Sequence, residues 1–276
     1  KEYDMFNLAD FSKAKALSYA EKRLVSESFP LRGKPAYLLL SQNEDVSVML
    51  NSEDHIRIKS FAPGQELMQA YNKANDLDDI FINGLKIAFS DKYGFLTSSP
   101  ADLGTAMRAS VVLHLPALAE NNLINKFSQT VSKLGLSLHA MYEDGAGDIY
   151  VLTNRVTLGI TEQSAIYNTN AVCEQIVNQE RKARESLCES VDFQDKIYRA
   201  LGVLKLARRL STKEFLSGIS LVRLGVSMGY FDYSYSLLED MIYNLFDATL
   251  VDSSKSDLSK EMCESLRAQI VREKLG

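Results

Sequence analysis

The chain is short of proline, cysteine and histidine, and each shortage excludes something. Only 5 prolines occur among 276 residues. None follows Pro116, so everything beyond it is free to form long helices. Cysteine appears at Cys173, Cys188 and Cys263 alone. An odd, widely spaced set without a Cys-x-x-Cys pair excludes a disulfide framework and a zinc motif, and suits a reducing, cytoplasmic setting. The three histidines, His55, His114 and His139, are too dispersed to make a metal site. No run of about 18 apolar residues exists, so nothing reads as a membrane span or a secretory leader. Excess positive charge is missing too: the net charge is -5, which excludes general electrostatic binding of nucleic acid. The 14 glycines include neither G-x-x-x-x-G-K-[ST] nor G-x-G-x-x-G. A bound nucleotide would therefore be held by arginines and not by a glycine cradle. The first residue is Lys1, so the natural product is expected to begin upstream.

What is present is an ordinary globular composition, 46% hydrophobic and 24% charged, with chain enough for a substantial core. Residues 36–40 (AYLLL) read as a short buried strand. Residues 46–50 and 55–61 alternate as strands around a tight NSED turn. Residues 65–87 carry a helical pattern after Pro63-Gly64. Residues 105–115, 136–142 and 148–154 are three more strands, the last two joined by the turn EDGAG. Thr161 is a helix cap, and the apolar period that follows runs to about Leu187. Beyond Val191 four or five helices are expected, around residues 197–209, 212–219, 237–245 and 260–275. The expectation is an α+β class, an antiparallel sheet flanked by helices, followed by an all-helical C-terminal domain. The boundary falls near residues 187–192, dividing the chain into 1–187 and 188–276.

Three segments hold the residues that could carry chemistry. In NSEDHIRIK the pleat places His55, Arg57 and Lys59 on one face and Ile56 and Ile58 on the other, with Glu53 at the entry. The plain reading is a solvated face with local ion pairs. The sharper one is an anion site at Arg57 beside a carboxylate base, Glu53. In residues 96–116 a loop of small residues, SSPADLGT, precedes Arg108. Alternation then sets Arg108, Ser110, Val112 and His114 against Ala109, Val111, Leu113 and Leu115. His114 and His139 read as packed or solvated histidines. The third segment, YEDGAG, reads as a surface hairpin bearing Asp144. The charges between Glu174 and Glu185 read as a solvated helix face.

Taken together and in this order, these segments resemble the guanidino (phosphagen) kinases. LTSSPADLGTAMRASVVLHLPAL is similar to their LT-[ST]-CP-TN-LGTG-[LM]-RASV-x-x-HLPAL stretch, and NSEDHIRI to their NEEDHIRI. Within that family the bacterial protein-arginine kinases share more. LTNRVTLGITE, EQIVNQERKARESL, LVRLGVSMGY and LRAQIVREKL all resemble their segments, so the likeness covers nearly the whole chain. The resemblance implies transfer of phosphate from Mg·ATP, with ATP and Mg2+ as cofactors, to arginine side chains of proteins. A guanidinium is a very weak acid that stays cationic at neutral pH, and it needs a carboxylate to orient it and take its proton. The resemblance gives that catalytic role to Glu53 and a guanidinium-holding role to Asp144. It makes Arg57 and Arg108 phosphate ligands, Ala109, Ser110, Val111 and Val112 a nucleotide-contact strand, and Arg23 and His139 nucleotide-site positions. It makes Cys263, Glu264, Arg267 and Ala268 a phosphoarginine pocket in a C-terminal sensing domain. It also implies a homodimer, a zinc-finger activator protein, a Clp-type unfoldase and a link to stress and regulated proteolysis.

Departures from the family pattern are specific. Arg23 stands for a histidine, Ser52 for a glutamate, Ser99 for a cysteine, Asp102 for an asparagine and His139 for a phosphate-binding arginine. Asp144 is one methylene shorter than the family's glutamate, and the loop after it is shorter. CESLRA replaces RDxxRA, and the upstream Ser-x-Arg-x-Arg strand is not in this sequence. One lost phosphate contact typically costs about 10²–10³ in rate. These losses keep an alternative open, a catalytically degenerate homologue that binds phosphoarginine or acts as a scaffold. A free-guanidine kinase is a third reading, which the helical C-terminal part disfavours.

Overall fold

A computed structural model describes residues 3–29 and 35–276; Lys1 and Pro30 fall outside them, as does the side chain of Cys188. The chain forms two compact units that do not follow chain order. The first comprises residues 1–111, 134–137 and 153–172, and the second residues 112–133, 138–152 and 173–276.

The first unit is built on an antiparallel meander. Strands β1 (Tyr3–Asn7), β2 (Tyr37–Ser41), β3 (Val46–Leu50) and β4 (Ile56–Ser60) pair in that order. Register puts Phe6, Leu38, Met49 and Arg57 in one row across the sheet and Asp4, Leu40, Ser47 and Lys59 in the next. The pleat gives both rows the same face. Its apolar part packs with Ala20, Val25, Phe29 and Ala36, from helix α1 (Lys13–Glu21) and the segment after it. Ser12 caps α1, its hydroxyl accepting from Lys15 N at 3.1 Å. Arg23, with φ 64°, turns the chain so that residues 23–29 run back over the sheet face. Ser47 Oγ and Lys59 Nζ donate to the carbonyls of Leu24 and Arg23 and fasten that segment. Helix α2 (Leu67–Gly84) follows, fastened by Lys73 to Asp45 at 2.5 Å. A two-stranded ribbon, β5 (Phe89–Ser90) with β6 (Gly94–Phe95), completes this stretch.

Three further strands form a second sheet in the order β7 (Ser110–His114), β9 (Ile149–Asn154) and β8 (Leu136–Ala140). Burial alternates as expected: Ala109, Val111, Leu113 and Leu115 are buried, Ser110 and Val112 exposed. The ladder starts only at Ser110, however, five residues later than the pattern suggested. Residues 105–109 are held instead by Asn154 and Thr157. Asn154 Oδ1 accepts from Ala109 N at 2.7 Å, its Nδ2 donates to Met107 O at 3.1 Å, and Thr105 N donates to Thr157 O at 3.0 Å. A side-chain amide replaces the ladder partner. Gly104 (φ 104°) lies so close to Thr157 that a Cβ there would sit 2.3 Å from its carbonyl oxygen. Only glycine fits.

The second unit holds α3 (Pro116–Glu120), α4 (Ile124–Lys133), the last part of α5 (Glu162–Cys188), and α6 (Val191–Leu206), α7 (Thr212–Ser227), α8 (Tyr235–Asn244), α9 (Asp247–Ser254) and α10 (Lys260–Leu275). Ser190, Ser211, Ser234 and Ser259 cap α6, α7, α8 and α10, and Ser211 forms a full capping box with Glu214. Leu204, Phe215, Ile219, Val222, Met241 and Val271 are among the wholly buried core. Expectation and structure agree on α10, whereas α7 runs eight residues past its expected end and α9 was not anticipated. EDGAG is not a plain hairpin turn. It is a kinked 3-10 stretch, Glu143–Asp148, with positive φ at Asp144, Gly145, Gly147 and Asp148.

Candidate functional site

In the first unit the structure gathers Glu53, Arg57, Arg23 and Lys59. Glu53 lies within the NSED bend and Arg57 one residue into β4, which brings Arg57 Nη1 to 3.2 Å from Glu53 Oε2. Both are about 40% exposed or more, so the pair holds weakly and can be exchanged for a ligand. Ser28 Oγ donates to the other Glu53 oxygen at 3.4 Å. Arg23 Nη1 pairs with Glu27 at 2.7 Å. Lys59 donates to the Arg23 carbonyl at 3.0 Å. Burial first, then the charges of Arg57 and Arg23, lower its pKa from 10.5 to about 8. Three cations against two carboxylates leave a local positive excess beside a carboxylate. Such a place suits a polyanion.

The loop before Arg108 is tied to this strand–turn. Ser98 N donates to Asp54 Oδ1 at 2.7 Å. Arg108 is held by Asp102 and by the carbonyls of Ala101 and Asn154. Of the strand positions after it, Ala109 and Val111 turn into the core, while Ser110 is exposed and bonds Thr153 at 2.8 Å.

The second unit holds the remaining candidates. Asp144 sits at the kink with φ 53°, is largely exposed and pairs with Lys213 at 2.9 Å. His139 is exposed on β8. Four residues beyond Asp144, Asp148 accepts from Ser220 Oγ at 2.6 Å. Because Ser220 has given its proton there, His114 Nε2 donates to Ser220 Oγ (2.9 Å) and Nδ1 accepts from Arg223 (3.0 Å). Burial, with Arg223 and Arg184 nearby, holds His114 well below its usual 6.5. His114 is thus a packed, neutral histidine.

The CESLRA residues do not form an open pocket around Arg267. Cys263, Arg267 and Ala268 are buried. The Arg267 guanidinium donates to the carbonyls of Leu245 and Leu210 and to Asp247. A cation so deep must be fully paired, and here its partners are all the protein's own. Glu264, the stand-in for an aspartate, pairs with Arg209 at 2.7 Å.

Comparison with known proteins gives this arrangement its setting. Residues 1–183 match the family model for the ATP:guanido phosphotransferase C-terminal catalytic domain. Residues 190–276 match the model for the protein-arginine kinase McsB C-terminal domain. The chain belongs to the ATP:guanido phosphotransferase family. Within this family it is 36% identical to the protein-arginine kinase of Clostridium tetani, across 99% of this chain and 82% of that one. It is 39% identical to the protein-arginine kinase of Clostridium kluyveri, across 94% and 76%. Among solved structures it resembles the duplicated taurocyamine kinase from Schistosoma mansoni with bound transition state analog components. There the TM-score is 0.61 at 22% identity, covering 78% of this chain. The chain spans about a third (32%) of that duplicated kinase's length. This likeness concerns the fold.

For an ATP:guanido phosphotransferase, two residues beyond the sequence candidates matter. Lys59 was placed on the right face by alternation, but its burial beneath residues 23–29 depends on α1, which local pattern did not reveal. Asn154 holds the segment that carries Arg108, and only its position at the end of a strand hinted at a cap.

Proposed function

We propose that this protein is a protein-arginine kinase, phosphorylating arginine side chains of proteins with ATP as donor. The observation that carries the reading is Glu53, poised at the edge of the Arg23, Arg57 and Lys59 cluster. A carboxylate beside a phosphate-sized positive field is what guanidino phosphorylation needs. The match of residues 190–276 to the C-terminal domain of protein-arginine kinases supports a protein-bound arginine as substrate over a free guanidine.

Glu53 orients the incoming guanidinium and takes a proton from it as the nitrogen–phosphorus bond forms and the bond to the departing ADP breaks. Arg57 and Lys59 hold phosphate oxygens, and Arg108 supplies a further charge once its own acceptors yield. Asp144, in the second unit, keeps the guanidinium-holding role that the family resemblance gives it, and its partner in the structure is Lys213. Among the described residues no group of three or more His, Cys, Asp or Glu side chains could hold a metal. A magnesium ion brought in with the nucleotide would neutralise charge on its phosphates. No helix is long and apolar enough to cross a membrane among the described residues. A cytoplasmic site, a homodimer, a zinc-finger activator, a Clp-type unfoldase and a role in regulated proteolysis complete the proposal. So does its division into a catalytic part, 1–187, and a phosphoarginine-sensing part, 188–276. The occupied donors of Arg108 favour a second reading, a homologue that binds without turnover.

Incubation with Mg·ATP and an arginine-bearing protein tests both. Acid-labile phosphate on arginine is expected, falling about 10²- to 10⁴-fold in Glu53→Gln. Nucleotide binding with no such phosphate in the wild type would overturn the enzyme and leave the binding homologue.

A further inference from the structure

Arg108 has almost no donor to spare. Its Nε donates to Asp102 Oδ1 at 2.7 Å, its Nη1 to the Asn154 carbonyl at 2.7 Å and its Nη2 to the Ala101 carbonyl at 3.1 Å. Nη2 also lies 2.6 Å from Asp102 Oδ1. A guanidinium grips a phosphate through one of two forks, Nε with Nη2 or Nη1 with Nη2. Two main-chain carbonyls close the second fork, and the Asp102 carboxylate closes the first.

These closures differ in kind. The Asn154 carbonyl ends β9, and its residue is pinned by three side-chain hydrogen bonds of its own, to Ala109 N, Met107 O and Val156 O. Thr157 Oγ1 holds that stretch of loop, its one proton shared between the carbonyls of Leu103 at 2.8 Å and Ala101 at 3.1 Å. Asp102, by contrast, reaches Arg108 with a side chain about a third exposed. It leaves by rotating about its own bonds, with no movement of the main chain. A carboxylate is also the closest protein counterpart of a phosphate: an anion with paired oxygens that matches the guanidinium fork.

We propose that Asp102 is a resident anion on Arg108, competing with the nucleotide's phosphates for the Nε and Nη2 fork and thereby setting nucleotide affinity. This rests on the reading of Arg108 as a phosphate ligand. In the absence of nucleotide the Arg108 charge is neutralised in place and the side chain is held in a fixed position. Phosphate binding then exchanges one ion pair for another, and the gain is the difference between them. The family pattern carries asparagine at this position. An amide offers one uncharged oxygen and would hold the fork less firmly.

The test is the affinity for Mg·ATP, measured by calorimetry on the folded protein. Asp102→Asn is expected to bind about 2- to 5-fold tighter than the wild type, the range set by losing one partly exposed competing ion pair. Asp102→Ala, which removes the acceptor altogether, is expected to do the same. Arg108→Gln weakens binding, and adding Asp102→Asn to it brings no recovery, since the competition then has no object. The sign is what discriminates. If Asp102 only props the loop, its substitution leaves nucleotide binding unchanged or weaker, and that result, with the wild type binding, overturns the inference alone. If neither the wild type nor any Asp102 variant binds Mg·ATP, the inference falls together with the proposed function.

Discussion

Particular charged groups in the two units are handled in opposite ways. In the first unit Glu53 with Arg57 and Asp102 with Arg108 are pairs left a third to a half open to water. In the second, Arg267 and Glu180 are buried, and every strong partner they have is built in. Glu180 accepts from Ala117 N and Leu118 N at 3.0 and 2.9 Å and pairs with Arg184 at 2.7 Å. His114 is half-buried, held between Ser220 and Arg223. A buried charge must be satisfied by the fold itself, because losing a partner there leaves an uncompensated ion. A half-open charge keeps exchangeable partners, and those are the ones a ligand can replace. The comparison separates groups that hold the protein together from groups free for chemistry, even where both belong to family motifs.

The largest expected effect tests the buried side. Arg267→Ala is expected to destabilise the protein by about 3 to 5 kcal/mol, since the carbonyls of Leu210 and Leu245 and the Asp247 carboxylate lose their donor. Urea unfolding checks it. A cost below 1 kcal/mol would break the comparison, because Arg267 would then behave like the surface pairs.

Lys59 sits between the two classes. Its folded pKa of about 8 lies below the 10.5 of the unfolded chain, so burying the cation costs stability below pH 8. That cost disappears as pH rises from 8 to 10.5. Lys59→Met is therefore expected to raise stability at pH 7 by about 2 kcal/mol while weakening Mg·ATP binding. Unfolding curves at pH 7 and 10 would show the gain shrinking at the higher pH. A variant that is both less stable and binds equally well would place Lys59 among the purely structural groups.

His114 gives a smaller effect of known sign. The folded protein keeps it neutral well below 6.5, facing Ser220, Arg223 and Arg184. The unfolded chain takes up a proton near 6.5, so stability is expected to fall by about 1.4 kcal/mol by pH 5.5. Asp148, hydrogen-bonded to the same serine, has its pKa raised by burial and opposes this trend only nearer its own range. The unfolding midpoint between pH 7 and 5.5 measures the slope, and His114→Gln is expected to flatten it. An unchanged slope in that variant would assign the pH dependence elsewhere.

The smallest expected effect is the sharpest contrast. Arg57→Gln removes an ion pair with Glu53 that is 39% and 47% exposed, and is expected to change stability by less than about 1 kcal/mol. The same variant is expected to lose most kinase activity. Thermal unfolding and phosphoarginine formation measured side by side decide it. A stability loss approaching that of Arg267→Ala would erase the distinction between open and sealed pairs.

How much could be read beforehand depended on the range of the forces involved. β3 and α10 were legible to the residue, because strand alternation and helical periodicity are local signals. The side-chain alternation of Ala109 to Leu115 was legible too. The ladder's true start at Ser110 was not, because Asn154, 45 residues away, supplies the substitute bond to Ala109. β1 and α1 escaped notice for the same reason. β1 is a strand by virtue of pairing with β2, and α1 has a mixed pattern that makes sense only against the sheet it covers. Glu53, Arg57 and Arg108 could be named from their motifs. That Arg108 is already occupied, or that Arg267 is sealed, could not.

The sequence by itself determined the period of elements such as β3 and α10 and the motifs that mark the family. Those depend on residues a few positions apart. Only the tertiary structure decided which charges are sealed and which are exchangeable. Burial and pairing belong to what packs across the fold: Asp247 against Arg267, Ser220 against Asp148 and residues 23–29 over Lys59. No local pattern carries that information, because the free energy of a charge depends on everything that keeps water from it.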